Sequence, residues 1–400
     1  MGGIRLNILI ANPGSTSYKC KLISMPDEDI LFQAVVERIG DEEGLISYQF
    51  AGKEKVSETR AVPDYFKAVH LTLELLQQFC EINTVSAVGF KTVHARGVSG
   101  CAALTDDVLR AMEEYMPLVP VHNQVYLTAI SVFQKLLPQI PLVGLFETAF
   151  HTEIPPEAYL YGIPYRYYED YGVRKYGFHG ASHRYIAEWV KKQYAQGSKT
   201  YKLISCHLGG SSSVCAIKDG VSIDTSMGMS AQCGLLNAKR VGDLDSFALL
   251  YIMEKENLSI GQMREILISQ SGVYGISGLS GDFRDIEEAM HKGGKQAEYA
   301  FKTFAYVVKR YIGEYVAILN GTDYIVFTGG LGQNSPAMRS EILSNMENIG
   351  MILDTVKNNE NPREGIISSS TSPIKIMVMQ TNEEIVVARE VEKFIRAQTA

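Results

Sequence analysis

The sequence contains no long apolar run. Its first apolar stretch, from Leu6 to Ala11, is about six residues long, too short for a membrane span or for the apolar region of a secretory leader. A cytoplasmic chain with no membrane contact is therefore expected. Clustered positive charge is missing as well: 38 Lys and Arg stand against 45 Asp and Glu, a net charge of -7, with no basic block. That balance lacks the footprint of a nucleic-acid binder and leaves any phosphate ligand to local cations. Cys20, Cys80, Cys101, Cys206, Cys215 and Cys233 form no C-x-x-C pair and no zinc spacing, which points to buried thiols in a reducing compartment. Walker A and the G-x-G-x-x-G fingerprint are both absent, so the commonest nucleotide-binding folds are disfavoured.

What is present reads as a folded protein. Apolar residues make up 46% of the chain and charged ones 21%, and 400 residues exceed what one hydrophobic core usually supports. Two domains are expected. Three segments join a β-rich run to a turn rich in Gly, Ser or Asn: Leu6 to Tyr18, Lys202 to Val214, and Tyr324 to Ser335. In the first two a second strand follows the turn, so each reads as a β-hairpin, and their separation hints at two related halves. The third follows a helical pattern from Phe301 to Leu319, with Gly321 as its stop, and reads as helix, strand and Gly-rich loop. Near the end, Thr381 and Glu384 fit a capping box ahead of a terminal helix carrying Ile385, Val386, Ala388 and Val391.

Small residues let backbone N–H groups approach an anion, and consecutive amides form nests suited to phosphate oxygens. Asn12-Pro13-Gly14-Ser15-Thr16-Ser17 adds hydroxyls and an amide, with Lys19 close behind. An ordinary hairpin turn is the simpler account of any one such loop; three in one chain favour phosphate. Two strand-turn-strand loops followed by a Gly-Gly loop resemble the actin, sugar kinase and Hsp70 superfamily.

Within that superfamily the intervening segments resemble the acetate kinase family. Phe146-Glu147-Thr148-Ala149-Phe150-His151 is similar to the family's F-D-T-A-F-H, and Tyr176-Gly177-Phe178-His179-Gly180-Ala181-Ser182-His183 to its Y-G-F-H-G-T-S-H. Asp224-Thr225-Ser226-Met227-Gly228, Ser277-Gly278-Leu279-Ser280 with Asp282-Phe283-Arg284, and Thr328-Gly329-Gly330 follow in the family's order. The resemblance implies an α/β fold of two related actin-like (ribonuclease H-like) domains with a nucleotide cleft between them. Residues 1–150 plus 382–400 would form the carboxylate and phosphate side, and residues 151–381 the nucleotide-binding and dimerising side. It further implies reversible, direct in-line phosphoryl transfer between ATP and acetate or another short-chain carboxylate, with Mg²⁺ or Mn²⁺, in a homodimer.

Such transfer asks mainly for alignment and charge neutralisation. By resemblance, His179 and Arg240 stabilise the transferring phosphoryl group, and His183 could orient a neighbour. Lys91 holds the carboxylate, with Arg96 as its alternative, and Val93, Leu118, Val119 and Pro120 line an acyl pocket. Glu147 and Glu383 are the carboxylate candidates around the metal, of which Glu383, with Asn12, is assigned to it and Glu147 is counted with His179, Arg240 and Lys91 among the catalytic residues. Asn12 contacts phosphate or metal water, Ser15, Ser17 and Lys19 either do likewise or stabilise the hairpin, and Gly209, Gly210 and Ser211 form a second phosphate loop that His207 could support. Asp282, Phe283 and Arg284 wall an adenosine pocket in which aromatic and guanidinium planes stack the base. Gly329, Gly330, Leu331 and Gly332 floor it beside Asn334.

The departures from the family pattern fall near this chemistry. The family's H-R-V-V-H-G-G reads Phe90-Lys91-Thr92-Val93-His94-Ala95-Arg96, and a lysine cannot supply the arginine's bidentate fork. H-L-G-N-G-G-S reads His207 to Ser213 as HLGGSSS, G-T-R-S-G-D reads Ala238 to Asp243 as AKRVGD, and G-G-I-G-E-N reads GGLGQN at 329–334. Two alternatives stay open at this point: a nucleotide-binding or regulatory protein that has lost catalysis, and a pyrophosphate-dependent kinase of the same fold.

Overall fold

The computed structural model describes residues 5–14 and 16–399, with side chains at all of these but 121 and 399. Ser15, an expected phosphate-loop residue, lies outside the described residues. The chain divides into two units, one running to Ala149 and resuming at Asn382, the other Phe150–Thr381.

The first unit is built on an eight-stranded sheet, β1 (Leu6–Pro13), β2 (Ser17–Met25), β3 (Asp29–Glu37), β4 (Gly44–Phe50), β5 (Val56–Arg60), β6 (Val85–Phe90), β7 (Cys101–Ala103) and β8 (Leu142–Leu145), in the order β5-β4-β3-β2-β1-β6-β8-β7. Ile8, Leu9, Ile10 and Ala11 are each at most 1% exposed, as an uninterrupted apolar run demands of a strand covered on both faces. β1 pairs antiparallel with β2 and parallel with β6, and β6 pairs parallel with β8. At Gly89 a Cβ would lie 3.0 Å from Val391 and 3.2 Å from Val387, so this glycine lets the terminal helix Glu383–Thr399 seat directly on β6. The expected Thr381–Glu384 capping box does not form. Asn382, one residue nearer the helix and a strong cap, accepts the Ile385 N–H at 3.2 Å, while Glu384 pairs with Lys21 at 2.5 Å.

The second unit holds β9 (Lys202–His207), β10 (Ser213–Lys218), β11 (Val221–Thr225), β12 (Tyr324–Thr328), β13 (Gly365–Ile366) and β14 (Lys375–Val378), in the order β11-β10-β9-β12-β14-β13. Its first five strands repeat the topology β3-β2-β1-β6-β8. In each unit an antiparallel meander of three strands is extended by two parallel neighbours beside the meander's first strand. The two hairpins read from the sequence are thus the same step of one repeated design.

Strand alternation sorts β9 between two cores. Ile204 and Cys206 meet the helix Lys295–Leu319 through Phe301, Phe304, Ile312 and Tyr315, whereas Leu203 packs with Ile186 and Val190 of the helix Gly180–Gln193. Period two then turns Ser205 and His207 toward that second helix as well. The long helix starts at Lys295, ahead of Phe301, because Ala297 and Ala300 extend its buried stripe, and Asn320 takes the left-handed cap (φ 52°) expected of Gly321. The third Gly-rich segment is not a loop: β12 runs straight into the short helix Gly329–Asn334. Gly329 has φ 77°, and a Cβ there would sit 2.5 Å from the Leu208 carbonyl, so only glycine fits where β12 leaves the sheet beside β9.

Candidate active site

In the first unit, three parallel neighbours end side by side, and each delivers one expected site residue from its C-terminal end. Asn12 lies at the end of β1, Lys91 follows β6 and Glu147 follows β8, with the Glu147 N–H bonded to the Thr92 carbonyl at 2.8 Å. The terminal helix adds Glu383 as its first residue. The Lys91 ammonium bonds Glu383 and lies 3.0 Å from Glu147 Oε1. Burial opposes the charge on Lys91, yet the two carboxylates outweigh it and hold the ammonium well above its ordinary pKa. The Tyr126 hydroxyl donates to Asn12 Oδ1 at 3.3 Å. Two carboxylates converging on one cation beside an amide oxygen are hard donors of the kind that suit Mg²⁺, which keeps several of its own waters. Among the described residues no three His, Cys, Asp or Glu side chains group as a closed cage.

The rest of this unit's candidates are placed less centrally. Val93 and Val119 are buried, Leu118 is half-buried, and Pro120 opens the helix Pro120–Leu136. Arg96 is at the surface with its guanidinium on Glu114, so it is not poised as a substitute for Lys91. Ser17 is half-buried and Lys19 exposed on β2, where Lys19 sits opposite Asn12.

The second unit gathers histidines and serines at the start of the helix Gly180–Gln193. His179 precedes the helix with φ 57°, its Nδ1 2.8 Å from Ser213 Oγ and its Nε2 3.0 Å from Ser211 Oγ. Its ring stacks on His207 at 4.3 Å between centroids, and His207 Nδ1 lies 2.8 Å from Ser182 Oγ. Burial drives His183 well below the ordinary histidine pKa and His151 down to about 4, so both rings are neutral at physiological pH. His151, which the sequence reading left without a role, bonds the Phe178 carbonyl at 3.0 Å and Ser222 Oγ at 2.7 Å, fixing the segment just before His179. Gly177 belongs to the same brace, since its φ of 78° and a Cβ 2.7 Å from His151 admit no side chain.

Arg240 is half-buried and donates from Nη1 to the Ala231 carbonyl at 3.1 Å; burial lowers its pKa to about 10, which leaves it charged at neutral pH. Gly209 and Gly210, Asp282-Phe283-Arg284, and Gly330, Leu331 and Asn334 line one cleft of about 730 Å³. Lys239, Glu287 and Ser335 also line it and were missed; Ser335 bonds Glu287 at 2.5 Å. The expected stacking walls are built differently. Phe283 is 7% exposed and packs edge-on against Phe304 at 4.7 Å, so its ring serves the core, while the Arg284 guanidinium is exposed and forked onto Asp282. The Leu331 and Gly332 amides are already bonded to the Leu208 carbonyl at 2.9 and 3.1 Å, so they tie this short helix to the end of β9 instead of facing a phosphate.

Residues 7–389 match the Acetokinase family. The chain is 41% identical to the acetate kinase of Caldanaerobacter subterraneus subsp. tengcongensis over 398 residues, covering 98% of this chain and 99% of that one. It is 43% identical to the acetate kinase of Carboxydothermus hydrogenoformans over 391 residues, covering 96% and 98%. Among solved structures, the acetate kinase of Porphyromonas gingivalis matches with a TM-score of 0.85 at 35% identity over 97% of this chain and 99% of that one. A propionate kinase from Francisella tularensis subsp. tularensis matches with a TM-score of 0.88 at 32% identity over 96% and 98%. Likeness of this extent, in sequence and in the pair of related actin-like domains, places the chain in the acetokinase family.

Proposed function

We infer that the two units divide between them the work of a carboxylate kinase, which phosphorylates acetate or propionate from ATP to give the acyl phosphate and ADP. The observation that carries this division is positional. In the first unit Asn12, Lys91 and Glu147 stand at the C-terminal ends of the parallel strands β1, β6 and β8, and in the second the Gly209–Ser211 and Gly329–Asn334 segments follow β9 and β12, the ends at which open α/β sheets bind ligands. In the first unit, Lys91 attracts the substrate carboxylate, and Val93, Leu118 and Pro120 accommodate one or two carbons. In the second, Gly209, Gly210, Ser211 and the 730 Å³ cleft take the nucleotide, a volume in the range of small-molecule sites. His179 and Arg240 donate to the oxygens of the phosphoryl group as it passes directly from one oxygen to the other, with no enzyme-bound intermediate. Glu383 and Asn12, with Glu147 beside them, would hold Mg²⁺, which when bound would supply neutralisation of the phosphate oxygens.

Trapping acyl phosphate with hydroxylamine, across formate to butyrate and with ATP, GTP or pyrophosphate as donor, tests the reading. Hydroxamate should form with ATP and with acetate or propionate. If no carboxylate gives product above a His179→Ala control while ATP still binds, a nucleotide-binding role replaces catalysis. Product with pyrophosphate alone would reassign the phosphoryl donor.

The helix Ser246–Glu256 buries none of its residues within the chain and exposes Phe247 (77%), Leu250, Tyr251 and Ile252. An uncovered apolar face of this kind supports a closed homodimer in which a second copy covers it. Light scattering at micromolar concentration should report twice the chain mass; a monomer would refute the dimer. No helix among the described residues is long and apolar enough to cross a membrane. The proposed cytoplasmic location fits six cysteines that form no disulfide.

A further inference from the structure

Five side chains of the second unit form a single file of hydrogen bonds. Ser205 Oγ lies 2.9 Å from His183 Nδ1, His183 Nε2 lies 2.8 Å from Ser213 Oγ, Ser213 Oγ lies 2.8 Å from His179 Nδ1, and His179 Nε2 lies 3.0 Å from Ser211 Oγ. Ser205, His183 and Ser213 are wholly buried. The His183 ring is neutral, since burial, with His151 and His207 nearby, opposes its charge; it therefore owns one N–H and one lone pair. Ser213 owns one proton and shares its oxygen between two rings.

With a neutral His179 the file can run in two directions, since the third arrangement, in which both rings donate to Ser213, leaves the Ser213 hydrogen with no taker among the described residues. Running outward, the Ser205 hydroxyl donates to His183 Nδ1, His183 Nε2–H donates to Ser213, and the Ser213 hydroxyl donates to His179 Nδ1. His179 then carries its proton on Nε2, directed at Ser211. Running inward, His179 donates from Nδ1 to Ser213, Ser213 donates to His183 Nε2, and His183 Nδ1–H donates to Ser205. In that direction the Ser205 oxygen is an acceptor and its own hydrogen has no taker, because Ser205 Oγ makes no other hydrogen bond among the described residues. An orphaned donor in the middle of a buried strand is the arrangement folded interiors avoid. Running outward leaves no buried donor idle.

We propose that Ser205 and His183, acting through the Ser213 hydroxyl, are positioning residues that hold His179 with its proton on Nε2 as a ready donor. The proposal rests on the phosphoryl-donor role given to His179 above. The hydrogen bond on one imidazole nitrogen decides what the other presents, and a donor fixed before the substrate arrives needs no reorientation during transfer. Ser211 occupies that donor until an anionic oxygen takes the hydroxyl's place.

Selective ¹⁵N labelling of the eight histidines in the full chain reads the tautomers without substrate or turnover, with His179 and His183 assigned through His179→Gln and His183→Gln. Both rings should carry the proton on Nε2 and an unprotonated Nδ1. A proton on Nδ1 of either ring in the parent overturns the proposal, and this measurement stands even if a variant fails to fold. In Ser213→Ala, His179 should sample both tautomers and kcat should fall about ten- to a hundredfold with both KM values within about threefold. Ser213→Thr, which restores the hydroxyl, should recover most of the rate. An unchanged single tautomer in Ser213→Ala also overturns it, as does a parent-like kcat in that variant when His179→Ala is impaired. The expected tautomers together with full turnover by His179→Ala would instead remove the catalytic reading and leave the relay standing.

Discussion

His179→Ala and Arg240→Ala should each lower turnover by about two to four decades while changing KM much less, since both groups are assigned to charge that develops during transfer. The geometry favours a large effect at His179. Its ring is held on both nitrogens by serine hydroxyls and stacked on His207, so the donor is fixed in place and little of its worth is lost to reorientation. Among the described residues the Arg240 guanidinium commits one of its five donors, to the Ala231 carbonyl, leaving four for phosphate oxygens. Its partial burial strengthens any contact it makes with an anion. Steady-state kinetics with ATP and carboxylate varied in turn checks both variants. A loss below about threefold at either position would remove that residue from the mechanism.

The architecture was legible because its signals are local and strongly periodic. The apolar run Ile8 to Ala11 and the short β-rich run Lys202 to His207 read as strands, and the hairpin turns between β1 and β2 and between β9 and β10 follow from their small residues. The errors lie at element ends, where competing caps differ by a single residue: Asn382 displaced Thr381, and Asn320 displaced Gly321.

The site was legible only as residue types. A Gly-Phe-His-Gly run marks His179, but nothing in it announces that Ser205 and Ser213, buried in two apolar strands, reach the same helix start. A polar residue on the buried face of an otherwise apolar strand was the available cue. Phe283 misled for the opposite reason: a motif position says which residue is present, whereas the period of the helix Phe283–His291 turns its ring to Phe304. Lys239 adjoins Arg240, Glu287 lies one helical turn beyond Phe283 and Ser335 follows Asn334, so extending each motif by its neighbours on the same face was the signal that could have found them.

The largest departure from the family pattern, Lys91, carries the second large effect. An ammonium has three donors, and here two are committed, one to Glu383 and one to Glu147, so a single N–H is left for a substrate oxygen. One hydrogen bond to one oxygen attracts a carboxylate without fixing its plane, and the KM for the carboxylate should accordingly be high. Lys91→Arg supplies five donors in a planar fork, enough to retain both acidic partners and still face two substrate oxygens, and should lower that KM. Lys91→Ala should cost roughly 1.5 to 3 kcal/mol in kcat/KM for the carboxylate, about ten- to over a hundredfold, through the lost charged hydrogen bond. It should also destabilise the first unit, because Glu147 and Glu383 are left facing each other in a poorly solvated site; breaking a buried pair in this way typically costs about 3 to 5 kcal/mol. The Arg96→Ala variant is the control: with its guanidinium already on Glu114 at the surface, it should stay within about twofold of the parent. Kinetics at saturating ATP and varied carboxylate, run beside thermal unfolding of the same three variants, separates the two contributions. A Lys91→Ala enzyme with parental KM and kcat would show that the carboxylate is held elsewhere, and damage confined to Arg96→Ala would name the place.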